Sequence, residues 1–201
     1  GASRGIGKGI VQVLAEAGAQ VLVTALTGKY LQPLSQAMAK AGHPIQTLTA
    51  DATKAEDVER TVQTALKQWG HIDVLVNNVG DSVSKPMVPL PGDSKGAPLS
   101  DQEWRYIVDI NLTQAFLGCR AVGPHFLERR RGKVINIGSF GARRGAGITS
   151  AAYCAAKAGL SRLTETLAVE WAPYGVTVNG IAPGVFPDPD QMAPELLQRA
   201  R

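Results

Sequence analysis

The sequence predicts an α/β fold, a doubly wound parallel sheet in a three-layer α/β/α arrangement, and three observations carry that prediction. Short β-branched runs alternate with longer segments of helical spacing, in the order α-β-α-β-α-β-α-β-α-β. The strand runs VLV, VLV, VINI and VTVNGIA read as continuous hydrophobic stretches with little alternation, as strands covered on both faces do. The chain also opens on a glycine-rich turn, Gly1-Ala2-Ser3-Arg4-Gly5-Ile6-Gly7, which passes directly into a helical pattern.

Helical spacing predicts Gly5–Ala17, Tyr30–Ala41, Lys54–Trp69, Ser100–Glu128 and Ser150–Ala172. The strands between them are Gln20–Leu26, Ile45–Ala50, Ile72–Asn77, Lys133–Ile137 and Val176–Ala182. Two stretches interrupt the alternation, Gly80–Leu99 and Pro183–Pro194, and their proline content makes both of them loops. Each follows a strand, at the carboxyl edge where open α/β sheets bind ligands.

At 201 residues, 44% hydrophobic and 19% charged, residues 1–201 are expected to form one domain whose core needs neither disulfide nor structural metal. A formal charge of +4 is far from the density of a nucleic-acid-binding domain, so no nucleic-acid partner is expected. Cys119 and Cys154 have no ligand-like spacing with His43, His71 and His125, so they are expected as buried free thiols in a reducing compartment, with no metal. No run approaches the ~18 apolar residues of a membrane span, and a cytoplasmic location is expected.

The opening turn has the chemistry of an anion site. Glycines at a helix N-terminus present backbone N–H groups and the positive end of the helix dipole to a phosphate, and the missing Cβ atoms let the backbone approach it. The spacing G-x-x-x-G-x-G departs from the general G-x-G-x-x-G dinucleotide fingerprint. Tyr153 and Lys157 lie four apart in an alanine-rich helix and therefore share a face. A nearby ammonium favours the ionised form of a phenol, which suits the pair to general acid–base work.

Taken in order, Gly1-x-x-x-Gly5-x-Gly7, Asp51-Ala52, Asn77-Asn78-Val79-Gly80, Asn111, Ser139, Tyr153-x-x-x-Lys157 and Pro183-Gly184 resemble the short-chain dehydrogenase/reductase family, whose fold is Rossmann-like. The resemblance extends over nearly all residues up to Gly184 and includes the 3-oxoacyl-carrier-protein reductases. It implies an oxidoreductase that passes a hydride between a nicotinamide coenzyme and a carbonyl or secondary alcohol. Tyr153 is then the general acid or base, Lys157 tunes it and holds the ribose, Ser139 polarises the substrate carbonyl, and Asn111 bends its helix and binds a water of the proton relay. The same resemblance assigns coenzyme contacts to Gly1, Ser3, Arg4, Gly5, Ile6, Gly7, Asp51, Ala52, Asn77, Val79, Gly80, Tyr153, Lys157, Pro183 and Gly184. Ser150 competes with Ser139, but reads better as a helix N-cap. The alternative reading is a non-catalytic nucleotide-binding module of the same fold, and the four intact catalytic-type residues weigh against it.

NADP(H) is favoured over NAD(H). The stretch Val23-Thr24-Ala25-Leu26-Thr27 ends the second strand of the family pattern without the carboxylate that accepts a ribose 2′-hydroxyl. Arg4 resembles the basic residue that pairs with a 2′-phosphate, with Lys8 and Lys29 as possible helpers. The segment Val185–Asp190 lacks the threonine the family often places there. The cluster Arg129-Arg130-Arg131-Gly132-Lys133 fits an acidic carrier protein, or simply a helix C-terminus where the dipole favours cations. Tyr174 stands where those reductases usually carry arginine. Small residues along the helix of Tyr153 permit close packing, and the resemblance implies that such helices pair between subunits in a homodimer or homotetramer. By the resemblance a strand leads into Gly1 between Gln20–Leu26 and Ile72–Asn77, so the chain is expected to be a fragment, a single domain lacking its first strand and its C-terminal part. Each backbone group left unpaired in such a sheet costs about 1–3 kcal/mol.

Overall fold

The structure, a computed structural model, describes residues 1–89, 91–92, 97–143 and 149–184. Five parallel strands alternate with helices in the predicted order: α1 Gly5–Glu16, β1 Leu22–Ala25, α2 Gly28–Lys40, β2 Gln46–Thr49, α3 Ala55–Trp69, β3 Val74–Asn77, α4 Asp101–Val108, α5 Gln114–Arg129, β4 Gly132–Ile137, α6 Ala151–Trp171 and β5 Val176–Ile181.

The helix ends follow local chemistry. Ser100 caps α4 in a reciprocal box with Glu103. In α3, Glu56 and Asp57 occupy the first turn, opposite the positive dipole end, and Gly70 ends the helix in the left-handed region at φ 75°. The single helix predicted over Ser100–Glu128 is instead two, joined by a π-helical turn at Asp109–Thr113 that contains Asn111. The apolar pattern runs through this turn without a break, so periodicity alone does not reveal it.

β1 pairs with β2, and β4 lies between β3 and β5, every pairing parallel. Parallel sheets flanked by helices are the fold class the sequence predicts. The sheet is in two pieces, with β1 and β3 not bonded to each other. Residues of both strands line an apolar cavity of about 590 Å3 that also includes Val11 and Val62.

Two main cores hold the layers. Val11, Ala15, Leu31, Leu34 and Met38 of α1 and α2 pack on Val23 of β1. Val62, Val122, Phe126 and Trp171 of α3, α5 and α6 pack on Val134, Val176 and Val178 of β4 and β5. A third, small cluster of Ile107, Ala152 and Ala156 joins α4 to α6. It seats α4, which leads into the π-helical turn of Asn111, against α6, which carries Tyr153. Among the described residues no helix is long and apolar enough to cross a membrane.

Candidate active site

The carboxyl ends of the strands open onto a cleft of about 650 Å3. One end of it is the glycine turn and the N-terminus of α1. Arg4 occupies the N-cap position with an extended backbone, its side chain makes no capping bond, and the first turn holds no acidic residue. The leading N–H groups and the positive dipole end are therefore open to an anion. Gly7 allows the helix to pass under the turn: a Cβ there would lie 2.5 Å from Gly1 O and 2.6 Å from Ala2 Cα. Asn78 Nδ2 donates to Gly1 O at 2.5 Å, and buried Gln114 donates to Val79 O at 3.3 Å. The first bond ties the segment after β3 to the turn and the second ties it to α5.

The cleft continues past the end of β1, where Leu26, Thr27 and Tyr30 line it together with Asp51 and Ala52. No carboxylate stands at the end of β1. The Arg4 guanidinium lies 5.7 Å and the Lys29 ammonium 5.2 Å from the Tyr30 ring centroid, within cation–π range. Lys8 is exposed and does not line the cleft. The Asp51 carboxylate is held by its own turn, Oδ1 accepting from Thr53 N at 2.9 Å and Thr53 Oγ1 at 2.7 Å.

At the opposite end, Ser139 follows β4 in extended conformation and is buried. Its Oγ accepts from Gly141 N at 3.1 Å, which leaves the hydroxyl proton to be donated elsewhere. Ser150 does precede α6, but its backbone (φ −115°, ψ 23°) is not extended, and its side chain makes no capping bond. The capping role expected of it is not realised, and it does not line the cleft.

Tyr153 and Lys157 sit one turn apart on α6, with Lys157 Nζ 5.8 Å from the phenol ring centroid. Lys157 is 3% exposed and donates to Ile137 O at 2.9 Å. Burial lowers its pKa to about 8. Asn111 is fully buried, and its Nδ2 donates to Ile107 O at 2.9 Å and to Asp81 O at 2.7 Å. In an uninterrupted α-helix the Ile107 carbonyl would take the backbone N–H of Asn111; in the π-helical turn it receives the side chain. Among the described residues Asn111 Oδ1 has no partner. Gly80 keeps the space beside it open, since a Cβ there would lie 2.8 Å from Asn111 Oδ1 and 3.2 Å from Lys157 Nζ.

Of the catalytic and coenzyme residues that the family resemblance assigns, every one but Asn77 lines this cleft. Asn77 is turned the other way, its Nδ2 donating to Asn136 Oδ1 at 2.8 Å, while Asn136 donates to Thr164 Oγ1 at 2.9 Å. Expected as a coenzyme contact, it instead joins β3, β4 and α6 through a buried polar chain, and Asn78 is the asparagine that reaches the cleft. Asparagine inside the VINI run is the signal that would have revealed this chain. Asp81 and Tyr106 line the cleft and were missed, because nothing in the sequence brings a loop residue to a helix 25 positions away.

Cys119 is buried as expected, and its thiol is pushed up to about 11 by burial, whereas Cys154 is partly exposed. The arginine cluster is engaged at home. Arg129 donates to Ile72 O at 2.8 Å, Arg130 donates to Pro173 O at 2.6 Å and lies over the Tyr174 ring, and Arg131 is 3.8 Å from Asp73. These partners lie in the segments that lead into β3 and β5. Val185–Asp190 lies outside the described residues.

The family model described as short chain dehydrogenase matches residues 1–197. The short-chain reductase protein NovJ of Streptomyces niveus is 36% identical over 99% of this chain and 71% of its own length. The 3-oxoacyl-acyl-carrier-protein reductase FabG of Vibrio harveyi is 37% identical over 92% of this chain and 70% of its own. Among solved structures, a short-chain dehydrogenase/reductase from Burkholderia xenovorans superposes with a TM-score of 0.86 at 31% identity, covering 98% of this chain and 74% of that one. A metagenomic short-chain oxidoreductase in complex with NADP gives 0.82 at 31% identity, covering 92% and 80%. With the whole cleft falling inside the matched region, the chain belongs to the short-chain dehydrogenase/reductase family, nicotinamide-dependent oxidoreductases that interconvert a CH–OH group and a carbonyl.

Proposed function

We propose that this chain binds NADP(H) along the cleft and reduces a small-molecule carbonyl, or oxidises the corresponding secondary alcohol, with Tyr153 as general acid or base. The observation that carries this reading is the convergence of Ser139, Tyr153, Lys157 and Asn111 at the far end of the cleft that begins at the glycine turn. The residues present fit the coenzyme. The open N-terminus of α1 suits a pyrophosphate, and the buried orphan oxygen of Asn111 beside Gly80 asks for a polar partner.

When bound, the coenzyme supplies or accepts the hydride at the substrate carbon. The remaining chemistry is the protein's. Ser139 donates its free hydroxyl proton in a hydrogen bond to the substrate oxygen, and Tyr153 delivers a proton to that same oxygen in reduction or removes it in oxidation. Lys157, its Nζ 5.8 Å from the phenol ring centroid, leads the replacement proton from solvent together with Asn111 Oδ1. Arg4, with Tyr30 and Lys29 around it and no carboxylate at the end of β1, favours the 2′-phosphate. The proposed assembly is a homodimer or homotetramer through α5 and α6, which expose Phe116 and Val169.

The test is absorbance at the reduced-nicotinamide band with a panel of ketones, β-keto esters and secondary alcohols, run with each coenzyme in turn. Turnover with NADPH at a higher kcat/KM than with NADH supports the proposal. Saturable coenzyme binding without turnover of any panel member would favour the non-catalytic module instead.

A further inference from the structure

The amide of Asn111 has two possible orientations, and its proposed role needs only one of them, with Oδ1 turned toward Lys157 and Nδ2 toward the backbone. Both Nδ2 protons are used, on Ile107 O and Asp81 O. A flipped amide would set Oδ1 against two carbonyl oxygens, which accept but cannot donate. Ile107 O belongs to the same helical segment and is supplied locally. Asp81 O comes from the loop after β3, so the second half of the lock depends on where that loop is held.

Two bonds of the Asp81 carboxylate hold it. Oδ2 accepts from Tyr106 Oη at 2.6 Å, and Oδ1 accepts from Ser82 N at 2.8 Å. Tyr106 immediately precedes Ile107 on α4, so the contacts close a circuit: the Tyr106 phenol, the Asp81 carboxylate, the Asp81 carbonyl, the Asn111 amide, the Ile107 carbonyl and back to Tyr106. The Asp81 carboxylate also pushes the Tyr106 phenol up to about 12, which keeps it a donor at working pH.

We propose that Asp81 and Tyr106 are positioning residues that clamp the loop after β3 onto α4 and thereby fix the orientation of the Asn111 amide. The clamp rests on the proposed role of Asn111 for its effect on turnover, but not for its effect on the amide itself. The experiment therefore reads both. Amide NMR spectra of the protein follow the Asn111 side-chain NH2 pair, assigned by its loss in Asn111→Ala, and steady-state rates are taken with NADPH and ethyl acetoacetate.

Tyr106→Phe, which keeps the ring and removes the hydroxyl, is expected to speed exchange of the Asn111 side-chain protons about tenfold and to lower kcat about tenfold, with KM values and coenzyme affinity within about twofold. Asp81→Ala behaves the same way, while Asp81→Asn, which keeps an acceptor oxygen for Tyr106, stays within about threefold of the parent. The double variant Tyr106→Phe/Asp81→Ala is no worse than Asp81→Ala alone, since both remove one shared contact. Unchanged exchange in Tyr106→Phe overturns the clamp whatever the rates show, and a raised KM or weaker coenzyme binding at unchanged kcat shows that the pair touches ligand instead. Asn111→Ala separates the two proposals: if it leaves kcat intact, the relay reading of Asn111 fails while the exchange result still decides the clamp.

Discussion

At the glycine turn the cleft wall is backbone, with N–H groups left open and Arg4 at the rim making no capping bond. At the end near α6 the wall is made of buried side chains, and Ser139, Lys157 and Asn111 are each tied to a backbone group at 3.1 Å or less. The first end binds through dipoles and shape, which tolerate some movement of the ligand. The second commits individual protons, which do not. Burying Lys157 there has a cost, because its charged form is desolvated. Stability is given up at the reacting end for placement of charge.

The largest expected effect follows from that cost. Lys157→Met should remove roughly a thousandfold or more of kcat and yet raise the melting temperature at pH 7. The sign follows from the pKa lowered from 10.5 to about 8. Between these values the unfolded chain holds a proton that the folded chain has lost, so parent stability rises as pH climbs through the window. That gain is about 3 kcal/mol at most, and Lys157→Met should lack it. Thermal melts of both proteins from pH 7 to pH 10 measure this, and parallel curves would mean that the lysine is not desolvated.

The glycine end breaks differently. Gly7→Ala sets a methyl group against the backbone of Gly1 and Ala2, so it should lower stability by about 1–3 kcal/mol and weaken coenzyme binding, as read by denaturant melts and fluorescence titration. Arg4→Ala should leave stability and NADH binding alone and cut the NADPH preference roughly tenfold or more. A ratio unchanged by that substitution would remove Arg4 from coenzyme choice. The smallest effect belongs to Glu103 on α4, held at about 2 chiefly by Lys85 and then by Ser100. Its folded pKa lies below the unfolded value of 4.5, so its contribution is present above that pH and fades as pH falls toward 2. Glu103→Gln should slightly flatten acid melts in that range.

The order of elements was legible because four of the five strands are apolar runs bounded by breakers and the helical segments between them keep their apolar spacing. The π-helical turn at Asn111 was not legible as such. A π-helical insertion changes hydrogen bonding without changing the apolar pattern, so Ser100–Glu128 reads as one helix. Likewise the site was readable where a motif is local, as in Tyr153-x-x-x-Lys157, and where a strand ends on a small polar residue, as at Ser139. Asn77 was misplaced because adjacent residues at the end of a strand point to opposite sides: Asn78 reaches the cleft and Asn77 the interior. Asp81 and Tyr106 meet only through the path of a loop, which no periodicity encodes.

The account rests most heavily on the phenol of α6, and one comparison addresses it directly: a single-turnover measurement of NADPH oxidation by ketone in the parent and in Tyr153→Phe, with coenzyme affinity titrated in the same samples. Hydride transfer should slow roughly a thousandfold or more while NADPH still binds within about twofold of the parent. A Tyr153→Phe protein that transfers hydride at the parent rate would show that the proton comes from elsewhere.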